Sequence, residues 1–159
     1  MTQNEIDEIG MDLAATITRQ AQCKSRQIDA VIMFGNRVVG TGVNGAVALP
    51  PCDPCHREGL PSGSNLNLCP AIHAEVSAIA HAARYGQQTK GTTMYVTCGV
   101  PCKDCLVAIT VAGISRIVCM DNTDYYDTLS RQMVAQSPVL KVDTYHKSRA
   151  NIFELPEVK

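Results

Sequence analysis

Two short β-rich runs, IDAVIMF (28–34) and RVVGTGVN (37–44), meet at Gly35-Asn36, a pair that reads as a tight hairpin turn. Beyond the hairpin the pattern changes. Strand-like runs recur at 93–98 (TMYVTC), 116–120 (RIVCM) and 139–145 (VLKVDTY), and segments of helical period at 73–84, 102–112 and 125–136 alternate with them. Strands separated by helices pair through crossovers, which makes them parallel. The alternation therefore predicts an α/β fold of three layers, α-β-α. Its mixed sheet has about five strands, largely parallel after the hairpin, with helices on both faces. Another helical stripe, Ile6, Ile9, Leu13 and Ile17, precedes the hairpin within 5–21. With 159 residues, no internal repeat and no linker, residues 1–159 are expected to form one domain.

Composition narrows the function classes. The net charge of −1 gives no basic field for gripping a polyanion, and the absence of Trp with only two Phe leaves few stacking platforms. Nucleic acid is therefore not the expected partner. The first twenty residues are acidic and amphipathic without an apolar signal core, and no run of about 18 apolar residues occurs. The expectation is a cytoplasmic protein with no membrane partner. Eight Cys in such a chain favour metal ligation over disulfides, because the cytosol keeps thiols reduced.

Between 45 and 70 the periodic pattern dissolves into Pro, Gly, Ser and Asn around Cys52, Cys55 and Cys69. A loop of that length inside a compact domain is usually functional and needs something to hold it.

Two segments carry chemistry, His73-Ala74-Glu75 and Pro101-Cys102-Lys103-Asp104-Cys105, and each opens an expected helix. Cys102 and Cys105 are i, i+3 partners, so both sulfurs leave one face of a first turn. A helix N-terminus favours thiolate through its dipole and free N–H groups. His73 adds a neutral imidazole. Three protein ligands leave the fourth tetrahedral position open, the arrangement of a catalytic zinc. Zinc lowers the pKa of bound water toward about 7, so hydroxide forms at neutral pH. Glu75, two residues past His73, can stand beside that water as a proton shuttle without being a ligand. Taken singly, each piece has an ordinary alternative: a helix-capping His, a zinc-knuckle or redox PCxxC, a Glu favouring the dipole. Together and in this order they match the H-x-E…P-C-x-x-C signature of zinc nucleobase deaminases.

The segments CPAIHAEVSAIAHAARYG and TTMYVTCGVPCKDCLVAITVAGISRIVC closely resemble the cytidine and deoxycytidylate (dCMP) deaminase superfamily. VVGTGVNG resembles the G-Y-N-G motif that precedes a cysteine-bearing insertion in dCMP deaminases, and the resemblance spans roughly 10–145. It implies a cytidine-deaminase-like fold and hydrolytic deamination of a cytosine mononucleotide, dCMP to dUMP plus ammonia, with zinc-bound hydroxide and the Glu75 shuttle. It further implies a sugar contact from Asn44, a pyrimidine contact from the backbone at Ala74, a homo-oligomer, and regulation by a nucleoside triphosphate in some members. Val43 stands in place of the motif's Tyr, Ser77 in place of an Asn, and Asp29 in place of a Gly. Those departures keep open another nucleotide or a free nucleoside as substrate. A polynucleotide deaminase and a zinc-stabilised binding module share parts of the motif; the acidic chain speaks against the first and Glu75 against the second.

In many relatives, cysteines matching Cys23, Cys52, Cys55 and Cys69 hold a second, structural metal, and His56 is an alternative ligand. Such a site would hold the loop; the other reading is four reduced thiols. Cys98 and Cys119 read as small core residues. For a phosphate, Lys24-Ser25-Arg26 before the first strand offers a hydroxyl and two cations, and the resemblance selects Ser25 and Arg26. Tyr125 and Tyr126 read equally as pocket or packing residues.

Overall fold

The computed structural model describes residues 1–45, 52–61, 64–120 and 128–146. The helices are α1 (Gln3–Ile17), α2 (Ala74–Arg84), α3 (Lys103–Val111) and α4 (Thr128–Gln136). The strands are β1 (Asp29–Phe34), β2 (Arg37–Val43), β3 (Thr93–Val96), β4 (Arg116–Met120) and β5 (Lys141–Tyr145). They form one sheet in the order β2-β1-β3-β4-β5. The hairpin β1–β2 is antiparallel and β1 also runs antiparallel to β3. The pairs β3–β4 and β4–β5, joined through helices, are parallel. The mixed five-stranded sheet is as the alternation predicts. Of the expected helix over 125–136, residues 125–127 lie outside the described residues, as does the tail from 147 onward.

Alternation of side chains along the strands makes two cores. Ala30, Ile32, Met94, Val96 and Ile117 face α2 and α3 and bury against Ala74, Ala78, Leu106 and Ile109; Met133 and Val134 of α4 pack on the same side. Val31, Met33, Tyr95 and Val118 point to the opposite face and pack on Met11 and Ala14 of α1. This is the period-2 signature of strands buried on both sides.

Small residues set how closely α2 approaches. Ala74, Ala78 and Ala82 form its buried i, i+4 row, and this row lies on Gly40 and Gly42 of β2. A Cβ placed on Gly42 would stand 2.2 Å from the Ala78 nitrogen and 2.3 Å from the Ala74 oxygen. That contact seats the helix whose first turn carries Glu75. On the other face, Gly10 of α1 lies flat on the Tyr95 ring, where a Cβ would meet ring carbons at 2.7 Å.

A polar network crosses the α1 side. Arg116 of β4 holds Asp7 through two bonds of 2.7 Å and reaches Asp143 of β5 at 2.7 Å. Tyr95 donates its hydroxyl to Asp7 at 2.9 Å, and Gln3 donates to the same oxygen. Burial alone would raise the Asp7 carboxyl, but the bonds from Arg116, Gln3 and Tyr95 outweigh it and hold the group below its ordinary value. A carboxylate depressed in this way contributes stability that is complete above its unfolded pKa, about 3.9, and is lost as pH falls through the folded value. Arg116→Met is expected to cost about 3 kcal/mol at neutral pH, because Asp7 is left buried and charged. Urea melts should show the gap between wild type and variant closing as pH falls from about 5 to about 2. A gap independent of pH would mean that Arg116 acts through packing alone.

Candidate active site

Both metal-binding segments are helix N-termini, offset by one residue from the sequence expectation. His73 is the N-cap of α2 and Cys102 the N-cap of α3, each with extended backbone. The extended cap turns its side chain out of the helix, while Glu75 and Cys105 sit in the first turns. The entry to α2 is fixed by a backbone bridge: Gly45 and Ile72 exchange N–H···O bonds of 3.2 and 3.0 Å. The strand leaving the hairpin thus hands its end to the residue before His73.

His73, Cys102 and Cys105 are the only group of three or more metal-capable side chains gathered among the described residues, their ligand atoms all within 4.8 Å of one another. His73 Nδ1 lies 3.3 Å from the Cys105 sulfur and 3.5 Å from that of Cys102. Tetrahedral zinc with bonds of about 2.0 Å to nitrogen and 2.3 Å to sulfur separates those atoms by roughly 3.5 Å. The spacing and the borderline-soft donor set both fit zinc, and three ligands leave one position open.

The electrostatics prepare the same site. A hydrogen bond from Cys105, joined by one from His73, overcomes burial and brings the Cys102 thiol down to about 4. The bond to Cys102 in turn raises the His73 imidazole, and the neighbouring Cys102 together with burial pushes Cys105 up. Without a cation, then, the two sulfurs share one negative charge and keep one proton between them, and that charge strengthens the hold of the imidazole on its own proton. A divalent ion displaces those protons, so binding and proton release are linked. Burial pushes the Glu75 carboxyl up, and only 4% of the residue is exposed. A carboxyl raised by burial is suited to hold a proton and return it.

His73, Cys102 and Glu75 open onto one cleft, with Cys105 buried behind them. Ala74, fully buried, forms its floor beside Glu75, and Ser25, Arg26 and Asn44 line it as well. Asn44 is largely committed to the backbone: its Oδ1 accepts from Ile28 N–H at 2.9 Å and its Nδ2 donates to the Arg26 carbonyl at 2.6 Å. It staples the segment that carries Ser25 and Arg26 to the end of β2.

The expected second metal set is not gathered in this way. Cys23 and Cys69 both line the cleft, and the Cys52 sulfur accepts the His56 N–H at 3.3 Å. No three of Cys23, Cys52, Cys55, His56 and Cys69 come together as His73, Cys102 and Cys105 do. The ends of the loop are joined by the Gly45–Ile72 bridge, and within its described part the Arg57 side chain donates to the Ser64 and Pro61 carbonyls. Tyr125 and Tyr126 lie outside the described residues. Cys119 is core as expected, whereas Cys98 serves both core and cleft wall.

The cleft residues that carried no sequence expectation include Arg57, Ile72 and Val100. The signal for Arg57 was its position two residues past Cys55, in the loop that leads to His73. The apolar pair gave none.

Comparison with known proteins agrees with the geometry. Residues 4–121 match the family described as the cytidine and deoxycytidylate deaminase zinc-binding region. A deoxycytidylate deaminase of Mycobacterium phage is 33% identical over 126 residues, covering 74% of this chain and 96% of the relative. The deoxycytidylate deaminase of Schizosaccharomyces pombe is 31% identical over 120 residues, covering 70% of this chain but 36% of that longer protein. Among solved structures, dCMP deaminase from the cyanophage S-TIM5 in complex with dCMP and dUMP superposes with a TM-score of 0.68 at 21% identity. It covers 91% of this chain and 100% of its own. No helix among the described residues is long and apolar enough to cross a membrane. A zinc-type His-Cys-Cys cluster at two helix starts, a buried Glu beside it, and a family match over most of the length make this chain a member of the cytidine and deoxycytidylate deaminase family and a hydrolytic deaminase.

Proposed function

We propose that the chain deaminates a cytosine mononucleotide, dCMP before others, giving dUMP and ammonia. One observation carries the reading: a single cleft holds His73, Cys102 and Glu75 together with Ser25 and Arg26, a hydroxyl and a cation suited to a phosphate. The relatives named above supply the base and sugar.

Zinc, held by His73, Cys102 and Cys105, would supply the Lewis acidity that makes water nucleophilic near neutral pH. Glu75 removes a proton from the attacking water as its oxygen bonds to C4 of the pyrimidine, and delivers that proton to the ring nitrogen. A second proton, from the hydroxyl now on C4, passes through Glu75 to the exocyclic amine, so that the C4 carbonyl can form. The C–N bond then breaks and ammonia leaves. The backbone at Ala74 positions the base edge, and Asn44 places the sugar beside the segment it staples. Burial of Glu75 keeps bulk water from competing for these protons.

A second, structural zinc at Cys23, Cys52, Cys55 and Cys69 belongs to the same proposal. Cys23 and Cys69 share the cleft, and Lys24 reaches Asp53 at 3.6 Å, which draws the two chain segments together. Binding would still require the Cys52 and Cys55 turn to close on the other two.

The test uses purified, reduced protein with its metal. Zinc analysis should give about two ions per chain if both sites fill, and about one if the cleft site stands alone. Ultraviolet assays on dCMP, CMP, deoxycytidine and cytidine should give dCMP the highest kcat/KM. Arg26→Ala should raise KM more for dCMP than for deoxycytidine. Equal turnover of deoxycytidine and dCMP, or activity on RNA alone, would overturn the substrate.

A further inference from the structure

We infer that Arg57, carried by the cysteine-bearing loop, is the second cation of the phosphate subsite and the residue that makes the loop part of the substrate-binding surface. The inference rests on the reading that the substrate is a nucleotide. Arg26 and Arg57 lie thirty-one positions apart in the chain, yet both line the cleft that contains His73 and Glu75. No carboxylate pairs with either guanidinium among the described residues, whereas Lys24, Arg116 and Lys141 are all paired. The cleft therefore gathers two uncompensated positive charges and the Ser25 hydroxyl, from two separate segments.

The bonding of Arg57 leaves it competent for a ligand. Its Nε donates to the Ser64 carbonyl at 2.8 Å and its Nη2 to the Pro61 carbonyl at 3.3 Å. Those bonds fix the plane of the guanidinium against the backbone at Pro61 and Ser64. They use one edge of the fork and leave Nη1 with both hydrogens. A guanidinium already held flat loses little freedom when it takes an anion, and a phosphate accepts two parallel N–H bonds where a lysine would offer one point charge. Arg26 contributes the second charge from the Asn44-stapled segment. A dianion bridging the two would tie Arg57 of the loop to the segment that leads into β1.

Steady-state kinetics of the zinc-loaded protein decide this. For Arg57→Gln, kcat/KM for dCMP should fall by about 30-fold, mainly through KM, the scale of a lost hydrogen bond to a charged group. The fall for deoxycytidine should be less than about threefold. Arg57→Lys, which keeps the charge but not the fork, should lie between wild type and Gln for dCMP. Inorganic phosphate should inhibit the wild type competitively and Arg57→Gln more weakly. Equal losses on dCMP and deoxycytidine would mean that Arg57 only braces the loop, and would overturn the inference while leaving the substrate reading intact. So would wild-type kinetics from Arg57→Gln. A wild type with no preference for dCMP over deoxycytidine overturns both readings. If Arg57→Gln fails to fold, the Lys variant and phosphate inhibition of the wild type carry the decision. Equal losses for Lys on both substrates, or no inhibition by phosphate, sink it.

Discussion

Glu75→Gln is expected to keep its zinc and its fold while losing about two to four orders of magnitude in turnover. The amide has nearly the shape of the carboxylate and can occupy the same buried position, but it cannot take a proton from water or return one. Burial already penalises the ionised carboxylate at this position. The neutral replacement removes that penalty, so stability should be unchanged or slightly higher. This combination separates chemistry from architecture: metal content and melting temperature stay, kcat falls. Turnover near that of the wild type in a zinc-replete Glu75→Gln protein would remove the proton shuttle from the mechanism.

The residues of this site were legible because metal chemistry restricts residue type and spacing together. His, Glu and the two Cys appear in an order that few other functions demand, and the structure brings His73, Cys102 and Cys105 within ligand distance. The strands were legible for a similar reason. Ala30 and Ile32 alternate with Val31 and Met33 because both faces of the sheet are covered, and a two-residue period survives in the sequence. Boundaries were less so. The first helix was expected to run to residue 21 but ends at Ile17, giving way to a single 3-10 turn over Thr18–Gln20. There the Thr18 hydroxyl is bonded to Asp29, a tertiary contact that no local pattern announces. The third strand stops at Val96 rather than 98, because the chain must leave the sheet to form the cleft wall at Cys98 to Val100 and reach Cys102.

The loop between the hairpin and α2 shows where sequence reasoning stops. Four cysteines suggest a metal as a support for it. Its ends are also joined by backbone bonds between Gly45 and Ile72, and Arg57 binds two carbonyls within it. Backbone bonds and arginine–carbonyl bonds impose almost no residue pattern, so they leave no trace to read. Arg57 left only the faint trace of its place two residues past Cys55, since a lone arginine in a polar loop is ordinarily solvated charge.

The contact most sensitive to a single atom pair lies away from the chemistry, at Gly42. Its added Cβ would stand 2.2 Å from the Ala78 nitrogen and 2.3 Å from the Ala74 oxygen. Both are backbone atoms of α2, so no rotamer change relieves the overlap. Ordinary carbon contacts need roughly 3.5 Å, and the helix must therefore retreat by about 1 Å or tilt. Overpacking of this kind costs about 1–3 kcal/mol when side chains can shift, and a backbone clash belongs at or above the upper end. Gly42→Ala is thus expected to lose about 3 kcal/mol of stability in denaturant melts. The same displacement moves His73 and Glu75 relative to Cys102 and Cys105, which ride on α3. A misplacement of about 1 Å can cost on the order of 100-fold in rate, so the fraction that remains folded should also turn over slowly and hold zinc less tightly. Gly10→Ala is the matching control. Its Cβ would press on the Tyr95 ring at 2.7 Å, on the face of the sheet opposite α2 and α3. It should lower stability while leaving kcat of the folded protein within a few-fold, because the ring and α1 absorb the strain without reaching the metal ligands. If Gly42→Ala lost stability but kept wild-type kcat and zinc affinity, the seating of α2 on β2 would not be what sets the geometry of the site.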